Sequence, residues 1–288
     1  QLQELLRPDV LISIGGMVVS KKIKEFLRKY PPQAHYYIDE HVGYDTFFAL
    51  THHFKTNINI FLETVRQELP PVRSDYKGTW LSLYRETLEK RATFLADVPF
   101  SDMAAYKAIL ERAPTPYHIQ ISNSAPIRYA QLFPAKAGWQ VFCNRGTSGI
   151  DGSTSTAIGA SVVQSAPTLL ITGDLSFFYN SNALWCNYIP KNLKIIVVNN
   201  AGGGIFRILP TDKGTPFFET FQETTHSLTA KHLCAMYGFT YLCAQNQEEL
   251  TKTLETFFSQ YESPMLLEVF TPRELNNTIL KDYFNVLS

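Results

Sequence analysis

Two rhythms of hydrophobic positions alternate along this chain. Short unbroken apolar runs, rich in β-branched residues, stop at glycine or a small polar residue. Residues 168–172 run into Gly173-Asp174, and 193–198 run into Asn199-Asn200-Ala201-Gly202-Gly203-Gly204. Runs of this kind are the sequence form of strands buried on both faces of a parallel sheet. Further strands are predicted at 117–121, 140–142, 240–243 and 265–270. Between them the apolar spacing turns helical, at 76–97, at 102–112 behind a Ser101 cap, and at 153–164, 228–237 and 247–261. Residues 176–187, with Phe178, Leu184 and Trp185, suffice for a short crossover helix. Six strands alternating with helices predict an α/β fold, a doubly wound six-stranded parallel sheet spanning 73–288.

The front of the chain carries a smaller version of the pattern. A strand at 10–14 stops at Gly15-Gly16, and a Ser20-capped helix places Ile23, Phe26, Leu27 and Tyr30 on one face. A second strand at 35–38 ends at Asp39. A helix with Ile58, Phe61, Leu62, Val65 and Leu69 is stopped by Pro70-Pro71. Residues 1–72 therefore read as the closing part of a smaller α/β domain whose opening lies outside this sequence. The His52-His53 pair falls in a predicted loop with no third metal ligand nearby and receives no role.

Composition narrows the partners. The chain has 288 residues, 45% of them hydrophobic and 18% charged, with a formal net charge of zero. With no long basic run, nucleic acid is not an expected partner. No apolar stretch reaches the length of a transmembrane helix, and the first residues do not resemble a signal peptide. Four scattered cysteines without a C-x-x-C pair point to reduced thiols and a cytoplasmic setting. There is no G-x-x-x-x-G-K-[ST] loop, and Gly202-Gly203-Gly204 lacks dinucleotide-fingerprint spacing.

The candidate chemistry lies where strands end. Adjacent parallel strands would bring the Asp174 carboxylate and the Asn200 amide to the sheet edge at which open α/β sheets bind ligands. A carboxylate, an amide oxygen and a free backbone carbonyl suit a hard cation such as Mg²⁺, which keeps phosphate and water as its other ligands. Alone, Asp174 is an ordinary helix cap and Asn199-Asn200 an ordinary turn. At 26 residues apart, Asp174 and Asn200 fit one strand–helix–strand unit and favour a metal–diphosphate site. Two arginines on the same rim, Arg128 after Ser122-Asn123-Ser124 and Arg145 in 144–152, add anion-binding capacity. His226 and His232 are expected in caps or packing.

These motifs resemble the thiamine diphosphate enzymes. Ser122 to Arg128, Asn144-Arg145-Gly146-Thr147-Ser148-Gly149-Ile150-Asp151-Gly152, Gly173 to Ser176 and Val197 to Phe206 together resemble one branch of them. That branch is the 2-succinyl-5-enolpyruvyl-6-hydroxy-3-cyclohexene-1-carboxylate synthase family of menaquinone biosynthesis, and the likeness is to its C-terminal half. The resemblance implies that Asp174, Asn200 and the Gly202 carbonyl hold Mg²⁺ (or Mn²⁺) on the cofactor diphosphate. Ile150 would prop the cofactor into its bent shape, with Ser148, Gly173, Leu175, Ser176, Gly203 and Ile205 around it. Ser124, Arg128, Arg145, Phe206 and Leu209 would face substrate, with Lys21 and Lys22 reaching in from the front domain. The resemblance implies an arginine where Lys22 stands, and the lysine would lack its two-pronged donor.

The implied reaction decarboxylates 2-oxoglutarate and adds the resulting carbanion equivalent in 1,4 fashion to isochorismate. Both are dicarboxylates, which the arginines suit. The family works as a homodimer or homotetramer through its cofactor-binding domains, with an activating glutamate from an N-terminal domain that this sequence lacks. The chain alone is therefore expected to be inactive. The rivals are another thiamine diphosphate enzyme, a 2-oxoacid decarboxylase or acetohydroxyacid synthase, and a non-catalytic nucleotide- or flavin-binding module.

Overall fold

A computed structural model describes residues 2–16, 18, 20–209 and 213–287. The chain divides into two units, Gln1–Glu89 and Lys90–Ser288. In the first, α1 (Leu2–Leu5) precedes β1 (Val10–Ile14), α2 (Lys21–Lys29), β2 (Ala34–Ile38), β3 (Leu50–Phe54) and α3 (Ile58–Glu68). The strands form a parallel sheet in the order β1-β2-β3. Side-chain caps start both longer helices: Ser20 accepts from Ile23 N–H and Asn57 from Asn59 N–H.

One expectation fails here. His52 and His53 lie not in a loop but in β3, where the His53 ring stands edge-on to Tyr37 and bonds the Asp39 carbonyl at 2.9 Å. Two consecutive histidines obscure the alternation of a partly exposed edge strand.

Helix α4 (Tyr76–Ala96) carries the chain into the second unit. There α5 (Asp102–Arg112), β4 (Tyr117–Ile121), α6 (Ala125–Ala130), β5 (Trp139–Cys143), α7 (Ser153–Val163), β6 (Thr168–Gly173) and α8 (Asp174–Tyr179) follow. Then come β7 (Leu193–Asn199), α9 (Lys231–Tyr237), β8 (Thr240–Ala244), α10 (Gln247–Ser259), β9 (Met265–Phe270) and α11 (Asn276–Leu287). The six strands form one parallel sheet in the order β5-β4-β6-β7-β9-β8.

Both faces of this sheet are covered. Leu169, Ile171, Ile196 and Val198 pack under α5, α6, α10 and α11, while Leu170, Ile195 and Val197 pack under α7, α8 and α9. Successive residues point to opposite faces, yet all are buried, so the central strands read as unbroken apolar runs. The sheet is thus the expected doubly wound one.

Three local differences have physical causes. The crossover after β6 is a short helix starting at Asp174 plus a 3₁₀ segment, Ser181–Trp185. Arg128 sits on α6 rather than in a loop, because Pro126 at the helix start favours helical entry. Helix α9 begins at Lys231 rather than at 228 because the preceding backbone is drawn elsewhere. Leu228 O accepts from the Asn199 amide, and Ala230 N–H donates to Glu268. Among the described residues, no helix is long and apolar enough to cross a membrane.

Candidate functional site

Chain order reverses between β4 and β6: β5 lies on one side of β4 and β6 on the other. Loops leaving those two strands therefore diverge, opening a crevice at the carboxyl ends of the strands. A pocket of about 350 Å³ occupies it. Ser124, Ser148, Ile150, Gly173, Asp174, Leu175, Ser176, Asn200, Gly202, Gly203, Ile205 and Phe206 line it, twelve of the residues picked out in the sequence. Arg128 lines a narrow cavity that shares Asn200 and Ile205 with this pocket. Leu209, two-fifths exposed, follows the 3₁₀ turn Gly204–Arg207. Lys21 and Lys22 begin α2 of the first unit, and their assignment rests on sequence alone.

The pocket wall is built from backbone in unusual conformations. Ser124, Ser148 and Ala201 have φ of 76°, 62° and 61°, a region that side-chain-bearing residues rarely adopt. Gly202, at φ 144°, needs to be glycine. A Cβ there would lie 2.9 Å from the Glu223 carbonyl oxygen. That carbonyl also takes the Gly203 N–H at 2.6 Å, and the Glu223 side chain is fixed by Arg207, at 2.6 and 2.8 Å, and by Arg273 at 3.1 Å. The glycine turn is thus clamped from outside the pocket.

β6 and β7 are neighbours in register, with Gly173 opposite Val198, so the residues following them meet. Asp174 Oδ1 accepts the Leu175 N–H at 2.7 Å, and Oδ2 accepts the Gly202 N–H at 2.9 Å. Asn200 donates its Nδ2 to Asp102 Oδ2 at 2.9 Å. Its Oδ1 is buried and has no partner among the described residues. A buried acceptor left free beside the pocket is available to a ligand.

The donor set therefore fits a Mg²⁺ or Mn²⁺ ion: one carboxylate, one unpaired amide oxygen, and the Gly202 carbonyl, which takes one 3.0 Å bond from Gly204 N–H and keeps a second lone pair. Among the described residues, no cluster of three His, Cys, Asp or Glu side chains could hold a metal, so an ion here depends on amide and backbone oxygens.

Two residues given no part in the chemistry from sequence belong to this region. Asp102 is fully buried at the first turn of α5. Burial, and secondarily the charge of Asp174, push its pKa up to about 6 against hydrogen bonds from Thr271, Asn200 and Asn276. His226 Nδ1 accepts the Leu228 N–H at 3.1 Å and its ring stands edge-on to Phe178, the turn and packing roles expected of it. Its Nε2 also lies 3.2 Å from Asp174 Oδ2. Neither residue carries a local signal, because each meets its partner only through the fold.

The arginines lie beside the pocket. Arg145 donates to the Asn123 side-chain oxygen, and Asn123 in turn donates to the Ser148 carbonyl, tying the loops after β4 and β5 together. Burial, and then the charge of Arg145, lower the pKa of Arg128. Among the described residues neither guanidinium pairs with a carboxylate. Two close, uncompensated guanidiniums favour an anionic ligand. On the other wall, Ser176 Oγ donates to the Ile150 carbonyl and fixes that residue's backbone at the pocket.

Comparison with known proteins identifies the family. The family model described as thiamine pyrophosphate enzyme, C-terminal TPP binding domain, matches residues 124–269. The 2-succinyl-5-enolpyruvyl-6-hydroxy-3-cyclohexene-1-carboxylate synthase of Flavobacterium psychrophilum is 50% identical over 282 residues, 98% of this chain and 51% of its own length. The synthases of the same name from Christiangramia forsetii and Porphyromonas gingivalis are 48% and 41% identical, over 100% and 99% of this chain and 50% and 51% of their own lengths. The chain spans about half the length of the curated relatives it matches.

Proposed function

The chain belongs to the thiamine pyrophosphate enzymes that carry this C-terminal binding domain, and from that premise we propose that it supplies the diphosphate–metal half of a menaquinone-pathway active site. Asp174, Asn200 Oδ1 and the Gly202 carbonyl would hold a Mg²⁺ or Mn²⁺ ion for the cofactor diphosphate. Ile150, Leu175, Ser176, Gly203 and Ile205, which line the pocket, would enclose the cofactor, with Ile150 as its apolar support. When bound, thiamine diphosphate supplies a nucleophilic carbon and an electron sink for decarboxylation.

The protein's own share is binding and orientation. Arg128 and Arg145 hold carboxylates of 2-oxoglutarate and isochorismate, with Ser124, Phe206 and Leu209 around them. The complete protein then forms 2-succinyl-5-enolpyruvyl-6-hydroxy-3-cyclohexene-1-carboxylate, working as a homo-oligomer. The observation that carries this reading is the pair of guanidiniums that lack carboxylate partners among the described residues, together with the unpaired Asn200 oxygen. A site for a monocarboxylic 2-oxoacid has no use for a second unpaired cation.

The test is an assay of the complete protein carrying this chain, with thiamine diphosphate, Mg²⁺, 2-oxoglutarate and isochorismate. Arg128→Ala should lower kcat/KM for 2-oxoglutarate on the order of a hundredfold, as loss of a charged two-pronged hydrogen bond does. Cofactor affinity should hold. Equal turnover of pyruvate, or an unaffected Arg128→Ala variant, would favour a decarboxylase or acetohydroxyacid synthase instead. This chain alone, supplied with cofactor, should not turn over 2-oxoglutarate.

A further inference from the structure

Asn200 has two chemically different faces, and only one of them can serve a cation. An amide rotated half a turn exchanges oxygen for NH₂ with almost no change of shape, so packing alone does not choose between the two. Asp102 makes the choice. An ionised carboxylate only accepts hydrogen bonds. The Asn200 amide must therefore present Nδ2, 2.9 Å from Asp102 Oδ2, and turn Oδ1 the other way. That oxygen is buried and unpartnered among the described residues, and Asn200, Asp102 and Asp174 all line the same pocket.

Asp102 is itself anchored from three elements. Thr271, just after β9, donates to its Oδ1 at 2.6 Å. Its own N–H donates to Asn276 Oδ1 at 2.8 Å, and Asn276 Nδ2 is held by the Pro272 carbonyl at 2.9 Å. It also sits in the first turn of α5, behind the Ser101 cap, where the helix dipole favours negative charge. A carboxylate fully buried at 2% exposure is costly to keep. Here it has a definite effect, because a neutral amide in its place would accept either orientation of Asn200.

We propose that Asp102 is a positioning residue that fixes the Asn200 amide with its oxygen toward the metal. The inference rests on the reading of the pocket as a metal–diphosphate site. It makes Asp102 part of the metal-binding apparatus through its bond to Asn200. The carboxylate acts as an outer partner of a ligand, in the way metal-bound histidines are oriented by a second group.

The experiment measures Mg²⁺-dependent binding of thiamine diphosphate to the complete protein by calorimetry, without any turnover. Asp102→Asn lets the Asn200 amide point either way and should weaken Mg²⁺ binding by roughly tenfold, within the range seen for outer partners of metal ligands. Asp102→Leu should weaken it further. The informative variant is the exchange, Asp102→Asn with Asn200→Asp. The amide now at position 102 donates to the carboxylate at 200, whose other oxygen faces the metal, so binding should recover most of the loss.

A merely structural role for Asp102 predicts no such recovery, since the exchange restores no packing that the single change removed. Unfolding of the ligand-free variants, followed in parallel, separates loss of fold from loss of metal. A second readout needs no variant: exchange of the Asn200 side-chain amide protons, followed by NMR in the wild-type protein, should be slowed by the bond to Asp102. Undiminished Mg²⁺ binding in Asp102→Asn, no recovery in the exchange, or fast exchange of those protons overturns the inference alone. Absence of metal-dependent cofactor binding in the wild type overturns the reading of the pocket as well.

Discussion

Strand β7 has a buried polar residue at each end, and the two ends are built in opposite ways. At its start, Lys194 is wholly buried and fully occupied. Its ammonium donates to the Phe257 and Gln260 carbonyls, touches Met265 Sδ at 3.4 Å, and lies 4.3 Å above the Tyr261 ring. It thereby caps the C-terminal end of α10, where carbonyls lack helical partners and a cation is favoured.

At the other end, Asn199 is also satisfied, bonding Leu228 and Glu268. One residue further, Asn200 keeps an oxygen that is unpaired among the described residues, and Ala201 and Gly202 take left-handed backbone. Burial and polarity are common to both ends. Only the end that leaves an acceptor unsatisfied and holds strained backbone has the properties of a binding site.

The strongest way to break this contrast is at the open end. Asp174→Ala should weaken Mg²⁺-dependent cofactor binding by roughly a hundredfold or more, beyond the effect of losing an outer partner, and should lower ligand-free stability by only about 1–2 kcal/mol, because the Leu175 and Gly202 N–H groups lose their acceptor. Calorimetry paired with thermal unfolding checks both halves. A large stability loss with intact binding would reverse the assignment of this end.

Next in size is Gly202→Ala. A Cβ at φ 144° meets the clamped Glu223 carbonyl, so the turn must distort, costing about 1–3 kcal/mol. Both unfolding free energy and metal affinity should fall, since the Gly202 carbonyl moves with the turn. Denaturant titration showing no change would mean that the clamp yields.

At the closed end, Lys194→Met keeps the volume but leaves two carbonyls unpaired, a loss of about 1–2 kcal/mol. Cofactor affinity should be untouched, and a calorimetric change there would mean that the two ends communicate.

The smallest effect is one of pH. Burial lowers the Lys194 pKa to about 8, below the unfolded value of about 10.4. Below pH 8 the lysine is charged in both states and its desolvation cost is fully present. Between those two values the unfolded chain binds more protons, so stability rises with pH. Wild type should therefore gain on Lys194→Met from pH 8 to 10. A constant difference across that range would show that the ammonium is not desolvated.

Much of the fold can be read directly from the residues, for a local reason. Each central strand is buried on both faces, so 168–172 and 193–198 announce themselves by composition, and glycine or asparagine marks where they stop. Helix α11 is not among the predicted elements, although Ile279, Leu280, Tyr283 and Leu287 carry helical spacing. Its apolar face lies against α5, and no repeating strand signal follows to frame it. The site was legible in its strand-end residues, whose glycines and Asp174-to-Asn200 spacing are short-range features.

Its supporting groups were not legible. Asp102 stands 98 positions from Asn200 and 169 from Thr271, and no local pattern encodes such a pairing. His226 meets Asp174 only because Glu268, Asn199 and the clamped Glu223 turn draw the 223–230 segment over β6 and β7. Composition and periodicity alone determined that this chain forms a doubly wound parallel sheet with a carboxylate and an amide at adjacent strand ends, because burial and strand termination are properties of neighbouring residues. Tertiary structure alone decided which way the amide faces and which backbone turns are held under strain, because those depend on hydrogen-bond partners that only the folded chain brings within 3 Å of one another.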